Sequence, residues 1–343
     1  MSKEDTFPSM REMTLTELRY LKAKAAEVDR FLVEDERDGA LAAKMWPRVI
    51  RAACPSIPTH KSDLKGMLLL LVARCLRIRR TRRMVGSQMH QFLEGFAGEA
   101  MVTLHLLMHG YSGKRLDIEY STGHDIINDF GTWLQAWTMS CEGALHWTAP
   151  KCSSWVILCR GPSGRKSCNN FWGDESKAWV LQGNLIMLRT ALLTLLSDLF
   201  GCHYVIEQPC NSVLFRAPPM STVLRVTRSN KISTWHNAFG AESPKPFCLH
   251  SSLPLHCLVS GMKRKKLNQE GIKLVSKKGT KFSGNKNLTR SQAYTPAFGM
   301  AVAKMWNNFQ RTAFLSLDCH LLSKVRSHTL SRAGFANTMS NKQ

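Results

Sequence analysis

The sequence predicts an α/β protein built on a doubly wound, Rossmann-like sheet with mostly parallel strands, and three observations carry that expectation. Short apolar runs alternate with helical periodicity between about residues 90 and 210, the signature of strand–helix–strand units. The 343 residues are 44% hydrophobic and 21% charged, ordinary globular usage that excludes a disordered chain, a collagen-like repeat or a coiled-coil rod. Small-residue turns and carboxylates follow the apolar runs, and ligands of such sheets sit at the carboxyl ends of the strands.

Taken in chain order, Thr14 and Glu17 form a capping box, and Leu18, Leu21, Ala25, Val28 and Leu32 recur at spacings of three and four. A helix with one apolar face is implied. A second helical stretch around Leu64 to Leu76 runs into Arg77-Ile-Arg-Arg-Thr-Arg-Arg83. Such a cluster is either a solvated helix end or a phosphate contact or nuclear address. Residues 1–87 therefore read as a helical extension with a basic end.

Strands are expected at Phe92-Leu93, Leu116-Asp-Ile118, Ala144-Leu-His-Trp147 and Tyr204-Val-Ile206, each followed by polar or Gly/Pro punctuation. Between the last two, Leu181, Leu185, Leu188, Leu192, Leu195 and Leu199 mark a helix whose leucine stripe is core packing. The core is expected over residues 88–257 and 291–326, closed by a helix around Phe298 to Phe309. A loop-rich basic insertion occupies 258–290, and a frayed tail 327–343.

Net charge is +22, distributed as +7 over residues 1–90, +1 over 91–257 and +14 over 258–343. A neutral middle between basic ends suits a polyanion, since clustered Lys and Arg release counterions from a phosphate backbone. Nucleic acid is the expected partner. The longest unbroken apolar run, Met67 to Ala73, is far short of the roughly 20 residues a spanning helix needs. The opening Met-Ser-Lys-Glu-Asp also lacks the apolar stretch of a secretory signal. No membrane partner and a nuclear or cytoplasmic address are expected. The 11 cysteines contain no Cys-x-x-Cys pair, which argues against a disulfide scaffold or zinc ribbon, and no metal site is expected.

The residues that carry chemistry begin at Phe92-Leu-Glu-Gly-Phe-Ala-Gly-Glu-Ala100, a strand end entering a small-residue turn and then a helix. Such a turn lets backbone approach a ligand. Asp117 and Asp125 follow, placed as carboxylates that accept from ribose hydroxyls and from an adenine amino group. No lysine follows the turn in the Walker pattern, and a full Gly-x-Gly-x-x-Gly is missing, which disfavours a triphosphate cradle and an NAD-dependent oxidoreductase.

Here the chain resembles the S-adenosylmethionine-dependent methyltransferases, and more closely the cytosine-C5 DNA methyltransferase family. Glu94-Gly-Phe-Ala-Gly-Glu-Ala100 is similar to that family's Asp-Leu-Phe-Ala-Gly-x-Gly cofactor turn, with Ala100 in place of a glycine. The resemblance implies S-adenosylmethionine as cofactor, held by Glu94, Phe96, Ala97, Gly98, Asp117 and Asp125. Ala149-Pro-Lys-Cys-Ser-Ser-Trp155 resembles the Pro-Pro-Cys-Gln loop, with Lys151 replacing a proline. It implies Cys152 as nucleophile and Pro150 at the cofactor; an isolated cysteine would otherwise read as a buried inert thiol. A neighbouring Lys151 ammonium is expected to lower the thiol pKa, and Gly161-Pro-Ser-Gly-Arg165 to close over substrate.

Gln182-Gly-Asn-Leu185 resembles the family's Arg-Gly-x-Leu and implies Gly183 and Leu185 beside the cofactor. Val205-Ile-Glu-Gln-Pro209 resembles the Glu-Asn-Val strand, implying that Glu207 holds N3 of a flipped cytosine. Phe239-Gly-Ala-Glu-Ser-Pro-Lys-Pro246 stands in place of Gln-x-Arg-x-Arg. Tyr294-Thr-Pro-Ala-Phe-Gly-Met-Ala-Val-Ala303 is similar to the closing Tyr-x-x-x-Gly-Asn-x-Val segment, with Met300 for asparagine. Phosphate contact is expected from Arg165, Lys245, Lys263, Arg264, Lys265 and Lys266. The implied activity is methyl transfer to C5 of cytosine in DNA through a covalent cysteine adduct. RNA, or a binding protein that keeps the fold without catalysis, are the alternatives.

Overall fold

The computed structural model describes residues 14–37, 47, 50, 64–166, 170–259, 275–278, 281–284 and 293–312. Two helices open it, α1 (Leu15–Arg37) and α2 (Leu64–Met84). The capping box forms as expected: Thr14 N donates to Glu17 Oε2 at 2.8 Å and Glu17 N to Thr14 Oγ1 at 3.2 Å. Then follow β1 (His90–Gly95), α3 (Met101–Met108), β2 (Gly113–Leu116), α4 (Phe130–Thr138), β3 (Ser140–Thr148), α5 (Ala178–Leu199), β4 (His203–Pro209), α6 (Met220–Val226), β5 (Asn230–Trp235) and β6 (Pro246–Ser251). A last helix, α7, spans 296–312. The basic insertion contains a short antiparallel pair, Val275–Lys278 with Lys281–Gly284, where only loop was expected.

The sheet is mixed and six-stranded, in the order β2-β1-β3-β4-β6-β5. The first four strands are parallel, as the alternation predicts, whereas β6 runs antiparallel to both β4 and β5. Successive residues face opposite sides, so β1, β3 and β4 each feed two cores. Phe92, Leu145, Trp147, Val205 and Leu249 pack under α3 and α7, with Phe298, Val302 and Trp306. Leu93, Tyr204 and Ile206 pack under α4, α5 and α6, with Trp133, Trp137 and the α5 leucines. Helix α5 is long and apolar enough to cross a membrane, but it is mostly buried in this second core.

The helices of the N-terminal extension join that same core through Val28, Leu68, Leu71, Val72 and Cys75. Tyr20 donates its hydroxyl to the Leu199 carbonyl at 2.7 Å. The arginine cluster serves this docking. Arg79 donates to the Ser140 carbonyl at 3.1 Å, and Arg80 pairs with Glu17 at 3.1 Å.

Strand β2 ends one residue before Asp117, earlier than expected, because Asp117 Oδ1 accepts from Glu119 N at 3.0 Å and turns the chain outward. The topology puts a switch point between β1 and β3, since the chain leaves β1 toward β2 on one side and returns to β3 on the other. Ligands of such sheets bind outside the carboxyl ends at a point of this kind.

Candidate active site

Three loops meet at this switch point. The first leaves β1 at Gly95, where an added Cβ would lie 2.6 Å from Trp133 Cζ3, so only glycine lets the indole close over the strand end. Phe96, Gly98 and Ala100 all have positive φ (58°, 49° and 54°), a tight reversal into α3. For Phe96 and Ala100 this conformation costs on the order of 1 kcal/mol or more each. Phe96 is braced by the Trp133 ring, with centroids 4.9 Å apart. Open space surrounds the position a Cβ would take on Gly98.

Asp117 joins this turn, as its Oδ2 accepts from Gly98 N at 3.0 Å. With Glu119 N on the other oxygen, two of about four acceptor directions remain for a hydroxyl pair. Tyr120 donates to the Gly98 carbonyl beneath a stacked Arg115, 4.0 Å from its ring.

Several residues expected at the cofactor do other work. Glu94 is 1% exposed and turned under the loop, where Oε2 accepts from Thr103 N at 2.6 Å and stabilises the start of α3. Burial pushes its carboxyl up to about 7, with the Thr103 and Val102 hydrogen bonds opposing. The Asp125 carboxylate accepts from Ile127 N at 2.9 Å and Asn128 Nδ2 at 2.5 Å, a local turn, while Arg189 holds that turn through the Ile126 and Ile127 carbonyls. Gly183 is a close-packing position, because a Cβ there would meet Ser154 Oγ at 2.2 Å. Leu185 is half-buried on the same helix.

The second loop leaves β3. Ala149 N donates to the Gly95 carbonyl at 3.2 Å, which ties the two loops together. Pro150 is buried and accepts from Gln208 Nε2. Cys152 follows, half-buried, its carbonyl accepting from Trp155 N at 2.9 Å. Arg165 braces the loop from within. It is 2% exposed, donates to Ser154 Oγ at 2.9 Å and to the carbonyls of Val180 and Phe171, and its guanidinium lies 3.5 Å from the Trp155 ring. It therefore supports the Cys152 loop from inside instead of facing a phosphate. The segment expected to close over substrate is likewise anchored: Asp174 N donates to the Ser163 carbonyl at 2.8 Å and Lys177 Nζ to the Pro162 carbonyl at 2.7 Å.

The third element is the end of β4. Glu207 is 8% exposed, and its Oε1 has no hydrogen-bond partner among the described residues. Trp147 Nε1 donates to Tyr294 Oη at 3.3 Å, and the Tyr294 hydroxyl favours the ionised form of Glu207. Burial pushes Glu207 up to about 7, and the Lys245 ammonium pulls the other way. The same two influences act on Cys152, whose thiol is raised mainly by burial, opposed by Lys245 and further raised by Glu207. Lys151, expected to be the activating cation, is exposed, and Lys245 takes that place.

Lys245 reaches the site because β6 runs backward. Its first residue, Pro246, accepts from Cys210 N at 3.2 Å just past the end of β4, so the residue before it overhangs the carboxyl edge. Lys263, Arg264, Lys265 and Lys266 lie outside the described residues. The assembled group is a thiol, a protonatable carboxyl with one unpaired oxygen, and an ammonium, set beside an open backbone turn. Chemically it can add a nucleophile to a ring while holding a ring nitrogen. The chain matches no protein-family model and no curated protein.

Proposed function

We propose that the protein transfers a methyl group from S-adenosylmethionine to C5 of cytosine in nucleic acid, with DNA favoured over RNA. The observation that carries this reading is the meeting of Cys152, Glu207 and Lys245 at the carboxyl ends of adjacent strands, with Glu207 Oε1 buried and unpaired.

The residues at the switch point suit the cofactor. The Gly98 turn is open to close approach, and Asp117 keeps acceptor capacity for ribose hydroxyls. S-adenosylmethionine, when bound, supplies an electrophilic methyl group on a sulfonium. Cytosine C5 becomes nucleophilic once a thiolate adds at C6, and Cys152 is the thiol placed to do so. With a carboxyl at about 7, Glu207 is about half protonated near neutral pH, and that protonated fraction can donate to cytosine N3, stabilising charge that builds on the ring. A neutral Glu207 also spares the thiolate a like charge, and Lys245 offers it a counter-ion. The base must leave the helix stack to enter such a site.

Two measurements test the reading. Calorimetric titration with S-adenosylmethionine should show binding that Asp117→Ala abolishes. Incubation with cofactor and 5-fluorocytosine-containing DNA should give a denaturation-resistant protein–DNA adduct that disappears in Cys152→Ser; the same assay with 5-fluorocytosine-containing RNA ranks the two substrates. Cofactor binding without an adduct on either would leave a nucleic-acid-binding protein, and well-folded protein that binds no cofactor would overturn the proposal.

A further inference from the structure

A second group of nucleophilic side chains lies on the opposite face of the sheet from Glu207. In β4 and β6, Gln208 pairs directly with Cys248, so both point to that face. Cys210 follows two residues after Gln208, and its N–H still bonds the Pro246 carbonyl at 3.2 Å, which keeps it beside β6 one step past the strand end. Across the other edge of β6, Ser233 pairs with Cys248 and Lys231 with His250. Cys210 is exposed at the rim of this patch, with Lys231 and Ser233 also exposed, whereas Cys248 is buried behind it and both thiols are free.

We propose that Cys210 and Cys248 form a peroxide-reactive dithiol, in which exposed Cys210 is oxidised first and buried Cys248 resolves it as a disulfide. The register sets Cys248 and Ser233 on the same face as Cys210; hydrogen bonding with these groups and the Lys231 ammonium hold the Cys210 thiol down to about 6 although partial burial opposes them, while Cys248 is driven far up. One partner is therefore a thiolate at neutral pH and the other a thiol, the division of labour that such chemistry needs.

The step balances with a hydroperoxide as the oxidant. The Cys210 thiolate attacks the O–O bond of hydrogen peroxide and takes one oxygen, giving a sulfenic acid and, after proton uptake, one water. The Cys248 sulfur then attacks the sulfenic sulfur, its proton leaves with the hydroxide as a second water, and the S–S bond forms. Two thiols are oxidised by two electrons and one peroxide is reduced to two waters. The bond would clamp the end of β4 to the start of β6, the two segments that carry Glu207 and Lys245. None of this depends on the methyl-transfer reading.

The test uses the reduced full-length protein and an internal reference, Cys257, which is also exposed and whose thiol donates to the Pro254 carbonyl at 3.7 Å. At about pH 6, iodoacetamide should label Cys210 about tenfold faster than Cys257, the gain in thiolate fraction outweighing its lower intrinsic nucleophilicity. Equimolar hydrogen peroxide should yield a Cys210–Cys248 linked peptide with two hydrogens lost, restored by dithiothreitol. In Cys248→Ala, Cys210 should instead be trapped by dimedone as the sulfenic acid. Equal labelling of the two cysteines, a peroxide-induced link elsewhere, or Cys210 carried to the sulfinic acid without a link would overturn the proposal. These readouts exist in the unmutated protein, so a poorly folding Cys248→Ala leaves the test intact.

Discussion

The side-chain amide of Gln208 donates to the main-chain carbonyl of Pro150, so the end of β4 holds the loop that carries Cys152. Gln208 is fully buried and its Oε1 accepts from Ser212 Oγ at 3.0 Å, so both ends of the amide are engaged. Gln208→Met preserves the volume but leaves the Pro150 carbonyl and the Ser212 hydroxyl unpaired. The expected cost is about 1–3 kcal/mol, read as a lower urea midpoint with unchanged slope. Adduct formation should slow as well, because the loop loses its tie, while cofactor titration stays as in the parent.

Lys245 is the cation whose charge acts on both Cys152 and Glu207. Removing it in Lys245→Met takes away the influence that opposes burial, so the thiol rises further. Alkylation of Cys152 at constant pH should slow by about tenfold for each pK unit of rise, and Lys245→Arg should keep most of the rate. The comparison measures charge, since both replacements are long and flexible. Equal rates in all three proteins would show that Lys245 does not act on the thiol.

The pH dependence of adduct formation should carry the mark of Glu207. Its carboxyl ionises at about 7, so the donor to the ring nitrogen is present below that pH and lost above it, while the thiolate fraction of Cys152 grows throughout. The wild-type rate should rise and then flatten or fall on the alkaline side. In Glu207→Gln the falling influence vanishes, leaving only the rise, and the rate should drop by about 10²-fold, the usual scale of a positioned acid. A Glu207→Gln profile that still bends near 7 would assign the bend to another group.

Stability should respond to two buried groups in opposite pH windows. Glu94 is held up at about 7 against an ordinary value of 4.5, so between those pH values the unfolded chain ionises while the folded one stays protonated, and stability falls as pH rises. Glu94→Gln keeps an acceptor for Thr103 N and removes this penalty; by denaturant titration it should exceed the wild type by up to about 3 kcal/mol near pH 8 and match it below 4.5. His146 is held down to about 3 by burial between Ser197 Oγ and Ser140 Oγ, each at 2.7 Å. The unfolded histidine protonates below 6.5 and the folded one does not, so stability is lost on acidification from 6.5 toward 3. His146→Gln should flatten that acid limb.

Much of the parallel half of the sheet was legible because buried strands are continuous apolar runs: Phe92-Leu93, Ala144 to Trp147 and Tyr204 to Ile206 all fall in strands, and the leucines of α5 are a helix. Strands β5 and β6 were not foreseen. The first is an edge strand whose Lys231, Ser233 and Asn230 are exposed, so little apolar signal remains, and the second is short and opens with a proline. Missing β6 also hid the role of Lys245, which reads as a phosphate contact until the reversed strand carries it toward Cys152. Arg165 misled for a related reason. A lone arginine in a Gly-rich stretch looks solvated, and only the distant Trp155 ring and the Val180 carbonyl reveal that it is interior. Glu94 was expected at the cofactor, but a strand-end acid aimed at a ligand and one aimed at its own helix look alike in one dimension.

Helices α1 and α2 complete the outer wall over α4 and α6. Severing the chain at residue 88 would therefore bare an oily seam running along α4 and α6, the kind of surface that makes a fragment clump in solution. For anyone trimming the protein for crystals or spectroscopy, both N-terminal helices belong with the sheet they cover and should be retained.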